Sequence, residues 1–243
     1  MDCAAIKLTN ICKSFGIENG RFHALSDINL EIEKNSLTVI SGENGSGKTV
    51  LMSIIANLEV QSSGSIEVNQ NVGLVFQEAD SQIIGETARE DIAIGIRAQK
   101  KSKQEAALIT STVLKDTGLT DKADFPARFL SGGEKRRLAL AGVLAMNSGI
   151  IIFDEPYANL DYGGVRQVNF LIKELRASAK KTIIILTHEL EKCLGFADKF
   201  VVLHKGRIVF CGSAEEGLKK DLAVWGIHHP LNIAKTKEEL IWL

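Results

Sequence analysis

The octapeptide Gly42-Glu43-Asn44-Gly45-Ser46-Gly47-Lys48-Thr49 has the spacing G-x-x-x-x-G-K-[ST]. Glycines at 42, 45 and 47 let the backbone turn its N–H groups inward around a polyphosphate. Lys48 then reaches the β and γ oxygens, and the Thr49 hydroxyl can hold Mg²⁺. Context decides whether such a loop binds anything. The apolar run Leu37 to Ile40 before it reads as a strand, and Val50, Leu51, Ile54, Ile55 and Leu58 after it fall on one helical face. Strand, glycine-rich loop and helix in that order make a phosphate cradle, because a Lys-Thr pair at a helix start has no packing role of its own.

Further along, Gly149 to Pro156 reads GIIIFDEP. The run Ile150 to Phe153 is too short for a helix and is continuously apolar, as a strand buried on both faces of a parallel sheet must be. Ligands gather at the carboxyl ends of such strands. Asp154 and Glu155 are therefore expected on the same edge as the phosphate loop. There Asp154 can hold Mg²⁺, directly or through a water, and Glu155 can polarise the water that attacks the γ-phosphorus.

Ser131-Gly132-Gly133-Glu134 precedes a helical pattern with Leu138, Leu140, Ala141, Leu144 and Ala145 on one side. Ser131 reads as the N-cap and Glu134 as its capping-box partner. The two glycines leave bare N–H groups at the positive end of the helix dipole, which makes a second anion cradle. One γ-phosphate does not need two cradles in one subunit. The second is accordingly expected to close over a nucleotide held by another copy, giving a dimer with two sites at its seam.

The chain has 243 residues, 45 % apolar and 24 % charged, enough for one α/β core with a helical insertion. No stretch of 18 uninterrupted apolar residues occurs, and Met1 to Asn10 lacks the basic start and apolar core of a secretory signal. A formal net charge of −1 gives no global attraction to nucleic acid, so none is expected as a partner. Cys3, Cys12, Cys193 and Cys211 lack C-x-x-C spacing and read as reduced thiols. Alternation at Ile28, Leu30 and Ile32 predicts an amphipathic strand, and further strands are expected at Ser65 to Val68, Val72 to Phe76 and Thr182 to Leu186. The period is helical from Thr87 to about Met146, then strand and helix alternate again to Phe196, as right-handed βαβ crossovers require. Val201 to Leu203 and Ile208 to Phe210 flank a turn at Lys205-Gly206, a hairpin pattern, and Ser213 with Glu216 reads as another cap. The expected organisation is one domain over residues 1–243, with a helical subdomain at about 87–146 and a tail at about 213–243.

In this order the segments resemble the nucleotide-binding subunit of an ATP-binding cassette (ABC) transporter, from about Ile6 to Gly212. Leu130 to Glu134 (LSGGE) is similar to the family signature, and Ala158 to Asp161 (ANLD) to the loop whose aspartate signals between subunits. The resemblance implies a P-loop NTPase fold of the ABC type: a parallel sheet core, an N-terminal antiparallel β part and a helical insertion. It implies that His188 contacts the γ-phosphate and that Gln77 contacts Mg²⁺ or the attacking water. With Phe15 stacking on adenine, it assigns ATP to Gly42, Asn44, Gly45, Ser46, Gly47, Lys48 and Thr49. Ser131, Gly132, Gly133 and Glu134 would serve the nucleotide of a second cassette, identical or not. Gly73 to Gly95 (GLVFQEADSQIIGETAREDIAIG) and Phe129 to Met146 resemble the energy-coupling-factor and cobalt-type importers of vitamins and metal ions. Those work with a transmembrane subunit and a substrate-binding membrane protein, which implies a peripheral place at the cytoplasmic face of the cell membrane. A partner helix is expected near Gln77 and residues 87–99, with Ile83, Ile84 or Ile92 as anchors. A generic ABC importer ATPase, or a cassette protein used in DNA repair or translation, is the alternative. Glu134 stands where the family usually has Gln, and Tyr157 where it has Thr or Ser.

Overall fold

The computed structural model describes residues 4–17, 20–97, 99, 101–232 and 236–242. Strands β3 (Leu37–Ser41), β6 (Ile150–Asp154) and β7 (Thr182–Leu186) form the middle of a six-stranded sheet. Its order is β5-β6-β7-β3-β8-β9, with β5 at Val72–Val75, β8 at Lys199–His204 and β9 at Arg207–Gly212. All pairs are parallel except the β8–β9 hairpin. Every residue of β3 and β7 is buried, as covering both faces of a parallel sheet demands.

A second sheet of three antiparallel strands, β2 (Gly20–Glu33), β1 (Ala4–Ile17) and β4 (Ser63–Val68), covers one face. Ile6, Ile11, Ile28 and Ile32 from this layer pack with Ile40, Ile152 and Ile184 of the parallel sheet, and helix α1 (Lys48–Ile55) adds Leu51, Ile54 and Ile55 to the same core. Helix α5 (Tyr162–Ala179) packs on the opposite face through Val165, Ile172 and Leu175. Three more helices, α2 (Ala88–Arg97), α3 (Lys103–Asp116) and α4 (Gly132–Ala145), gather around a small core of their own that includes Ile92, Ile96, Leu114 and Leu138. A one-turn helix, α6 (Ala214–Gly217), carries the capping box of Ser213 and Glu216.

Two expectations need correction. Helix α1 stops at Ile55 and leaves Leu58 exposed, because Asn57 adopts a left-handed conformation (φ 57°) that an α-helix cannot continue through. The helical period between Thr87 and Met146 is broken at 117–131, which has only two short 3₁₀ turns, at Thr120–Lys122 and Ala127–Phe129. The strand expected at Ser65 to Val68 is present within β4, paired with β1 in the antiparallel layer.

Register places the chemistry. Ile40 pairs with Leu186, which pairs in turn with Asp154, so the segments following β3, β6 and β7 leave the sheet at one edge. The glycine-rich loop, Asp154-Glu155 and Thr187-His188 meet there.

Candidate active site

Asn44, Gly45, Gly47, Lys48 and Thr49 line a pocket of about 260 Å³ together with Gln77, Asp154 and Glu155. Gly47, the N-cap of α1, has φ 106°, and a Cβ there would lie 2.8 Å from the Ala24 carbonyl oxygen. Only glycine lets the loop enter the helix this tightly. Lys48 is buried, and its ammonium donates to the carbonyls of Gly42 (2.6 Å) and Glu43 (3.1 Å). Burial pulls this amine below the ordinary lysine range, while Glu155, Asp154 and Glu43 pull it back up. Gly42 and Ser46 complete the loop behind the pocket wall, and the Ser46 hydroxyl is buried without a partner.

Glu155 is the most constrained acid of the site. It is buried, and its backbone takes φ 45°, a conformation uncommon outside glycine and asparagine. Three bonds hold it there: its N–H donates to the Leu186 carbonyl (2.8 Å), Thr187 Oγ1 donates to Oε2 (2.9 Å), and His188 Nδ1 lies 3.0 Å from Oε1. A residue in a sparse region of backbone space persists only where its surroundings over-determine it, and such residues cluster at functional sites. Burial and the neighbouring Glu155 push the Asp154 carboxyl above the usual carboxylate range, against the pull of Lys48. The pocket thus presents a buried cation, a backbone nest and two carboxylates, as a polyphosphate with its counter-ion requires.

The family model described as ABC transporter matches residues 25–158, more than half of the chain. The chain belongs to the ABC transporter family. It is an ATPase, and ATP is its nucleotide. One relative, the energy-coupling factor transporter ATP-binding protein EcfA1 of Mycoplasma mobile, is 34 % identical over 90 % of this chain and 84 % of its own length. EcfA1 of Lactobacillus delbrueckii subsp. bulgaricus is 35 % identical over 79 % of this chain and 74 % of that protein. Among solved structures, CbiO1 from Clostridium perfringens, described as part of the ABC transporter complex CbiONQ, superposes with a TM-score of 0.82 at 29 % identity, covering 96 % of both chains. The ATP-binding cassette MJ0796, a dimer in a post-hydrolysis state bound to ADP and Pi, gives 0.78 at 26 % identity over 86 % of this chain and 98 % of that one.

In this ABC ATPase the signature segment stands apart from the pocket. Ser131 caps α4: its Oγ accepts from the Glu134 N–H (3.3 Å), and Glu134 Oε2 accepts from the Ser131 N–H (2.8 Å). That backbone bond holds the Glu134 carboxyl below its usual range. None of Ser131, Gly132, Gly133 and Glu134 lines the Lys48 pocket. Asp161 caps α5 by accepting from the Gly164 N–H at 2.7 Å. His188 reaches the site through Glu155, with much of its ring exposed.

Phe15 does not line the pocket; its cross-strand partner Phe22, 54 % exposed, does. The Lys13 ammonium sits 4.8 Å from the Phe15 ring centroid. Phe22 carried no motif signal; it and Ala24, two residues apart on β2, line the pocket with the phosphate loop. Arg136 was equally silent. From α4 its guanidinium donates to the carbonyls of Pro156 (2.6 Å), Ala158 (3.0 Å) and Gln77 (3.1 Å), joining the Gln77 loop to the segment that carries Glu155 and Asp161. A larger groove of about 830 Å³ between α3, α4 and α5 contains neither Lys48 nor Glu155.

Ile92 is fully buried in the helical core and Ile83 packs against it, whereas Ile84 is 73 % exposed. Of the three isoleucines, only Ile84 is exposed. No helix among the described residues is long and apolar enough to cross a membrane. Cys12, Cys193 and Cys211 are free thiols, and Cys3 lies outside the described residues.

Proposed function

We propose that this chain is the ATP-hydrolysing subunit of an energy-coupling-factor-type importer of a vitamin or metal ion, working with a second cassette and a transmembrane subunit that is joined to a substrate-binding membrane protein. The observation that carries the reading is Glu155, buried at the sheet edge, fixed by Thr187 and His188, and sharing one pocket with Lys48. The EcfA1 relatives and CbiO1 support the importer type.

Lys48 and the loop N–H groups of Asn44 to Thr49 bind the β- and γ-phosphates. Phe22, or Phe15 from the neighbouring strand, stacks on the base. Hydroxyl, amide and carboxylate oxygens from Thr49, Gln77 and Asp154 line the same pocket, and among the described residues there is no group of three or more His, Cys, Asp or Glu that could cage a metal. That donor set fits Mg²⁺, which prefers one or two carboxylates plus phosphate over an all-protein cage. When bound, Mg²⁺ neutralises charge on the β- and γ-oxygens. Glu155 accepts the proton of the attacking water, and His188 holds the carboxylate in line while facing the γ-phosphate. Ser131 to Glu134 close on the nucleotide of the second cassette, and Asp161 reports that closure across the seam. The chain works peripherally at the cytoplasmic face of the membrane, with the Gln77 loop carrying nucleotide state to the membrane subunit.

Glu155→Gln tests the core of this reading, because the amide keeps shape and loses the charge that polarises water. ATP affinity is expected to stay within a factor of about 3, roughly 0.6 kcal/mol, while turnover stops and Mg·ATP traps a dimer on size exclusion. A variant that remains monomeric and hydrolyses at the parent rate overturns it.

A further inference from the structure

Tyr157 follows Glu155 by two residues and is fully buried, so its hydroxyl needs a partner. It donates to Asn169 Oδ1 on α5 at 2.7 Å. Asn169, equally buried, donates from Nδ2 to the carbonyls of Lys192 (2.8 Å) and Trp242 (3.1 Å). One amide therefore joins three segments distant in sequence: the loop carrying Glu155, the turn that follows His188, and the C-terminal tail. A serine or threonine hydroxyl at 157 is too close to its own backbone to span to α5 as the phenol does.

The tail is seated firmly. Leu240 is fully buried in the main core, and its carbonyl accepts from the Gly195 N–H at 3.2 Å. A Cβ at Gly195 would lie 2.3 Å from Ile241 Cγ1, so the contact is possible only with glycine there. The Trp242 ring lies 5.5 Å, centroid to centroid, from that of Tyr162, the residue after Asp161, tilted by 47°. The Lys192 ammonium, paired with Glu189 beside His188, sits 5.4 Å from the Trp242 ring and 5.9 Å from the Tyr157 ring.

We propose that Tyr157 and Asn169 are positioning residues: with residues 236–242 docked, they hold the Glu155 loop and the His188 segment in one arrangement, so that tail docking sets the rate of ATP hydrolysis. The inference rests on the assignment of Glu155 to water activation. Small displacements of a catalytic group lower rate steeply, and Glu155 occupies a backbone conformation that its neighbours must enforce. Leu186, Thr187 and His188 enforce it from one side. The Tyr157–Asn169 bond anchors the other.

The test uses the full chain and three changes: Tyr157→Phe, Asn169→Leu, and a stop codon in place of Thr236. Tyr157→Phe is expected to lower kcat for Mg·ATP about tenfold, with KM and ATP affinity within a factor of about 2. The stop codon should lower kcat to a similar extent, and the two together no further. Should the shortened chain fail to fold, Asn169→Leu takes its place in the double variant. Amide exchange at Gly195, which reports tail docking, should quicken in Tyr157→Phe. A kcat for Tyr157→Phe within twofold of the parent overturns the proposal, as do effects that multiply or a Gly195 exchange rate that does not move. Glu155→Gln separates the two failures: if it turns over at the parent rate, the Glu155 assignment is wrong, and if it is inactive while Tyr157→Phe is not, the tail coupling alone is wrong.

Discussion

Burial and the adjacent Glu155, offset in part by Lys48, raise the Asp154 carboxyl above its usual range. Its folded pKa lies above the unfolded one, so between those two values the folded chain binds more protons than the unfolded chain, and stability falls as pH rises through that window. Above the window the destabilisation is fully present. Asp154→Asn removes it, and the variant is expected to melt at a higher temperature while losing Mg²⁺-dependent hydrolysis. Calorimetry and a phosphate-release assay decide this, and an unchanged or lower melting temperature shows that Asp154 stabilises the fold. At this scale the phosphate loop and the acids were readable because each is a short run of neighbours in sequence. Phe22, Arg136 and the Tyr157–Asn169 pair were not. Their partners lie on other elements, and no local spacing announces a bond between α5 and the loop after β6.

Helix α4 has one end devoted to caps and the other to core. Its first turn spends Ser131 Oγ and the Glu134 carboxylate on each other's N–H groups, and Leu138, Ala141 and Ala145 then fill the helical core. On the proposal that the segment serves the other copy's nucleotide, Ser131→Arg should leave ATP binding by the isolated chain within a factor of about 3 and remove hydrolysis. Mixing it with Lys48→Ala chains should restore one composite site per dimer, and a mixture with no activity at any ratio counts against action across the seam. Elements differed in legibility for a physical reason. β6 and β7 are covered on both faces, so Ile150 to Phe153 and Ile183 to Leu186 appear as unbroken apolar runs. β1 went unread because register shifts between Leu8 and Ile11 and again up to Ser14 break its alternation. Helix α1 was read too long because the apolar pattern runs on through Leu58, while the chain itself turns at Asn57.

For the whole molecule, the question is what lies beyond the single chain. Ile84 is 73 % exposed beside the Gln77 loop, a large apolar side chain that the fold leaves uncovered. Ile84→Glu is expected to leave ATP affinity and melting unchanged, to release the chain from membranes on fractionation, and to uncouple uptake from hydrolysis. Wild-type chain that is wholly soluble and brings down no membrane protein removes the importer reading.

The main core contains Leu37 near the start of the chain and Leu240 near residue 243. A ribosome adding about 5–20 residues per second needs on the order of tens of seconds to travel from one to the other. Throughout that interval β3 has emerged while part of its packing has not yet been synthesised. Because Trp242 is tied through Asn169 to Tyr157, two residues from Glu155, residues translated well after the Glu155 loop complete its surroundings as well as the core. On the proposed coupling, a nascent chain reaches its full rate of ATP hydrolysis only after residues 236–242 have docked.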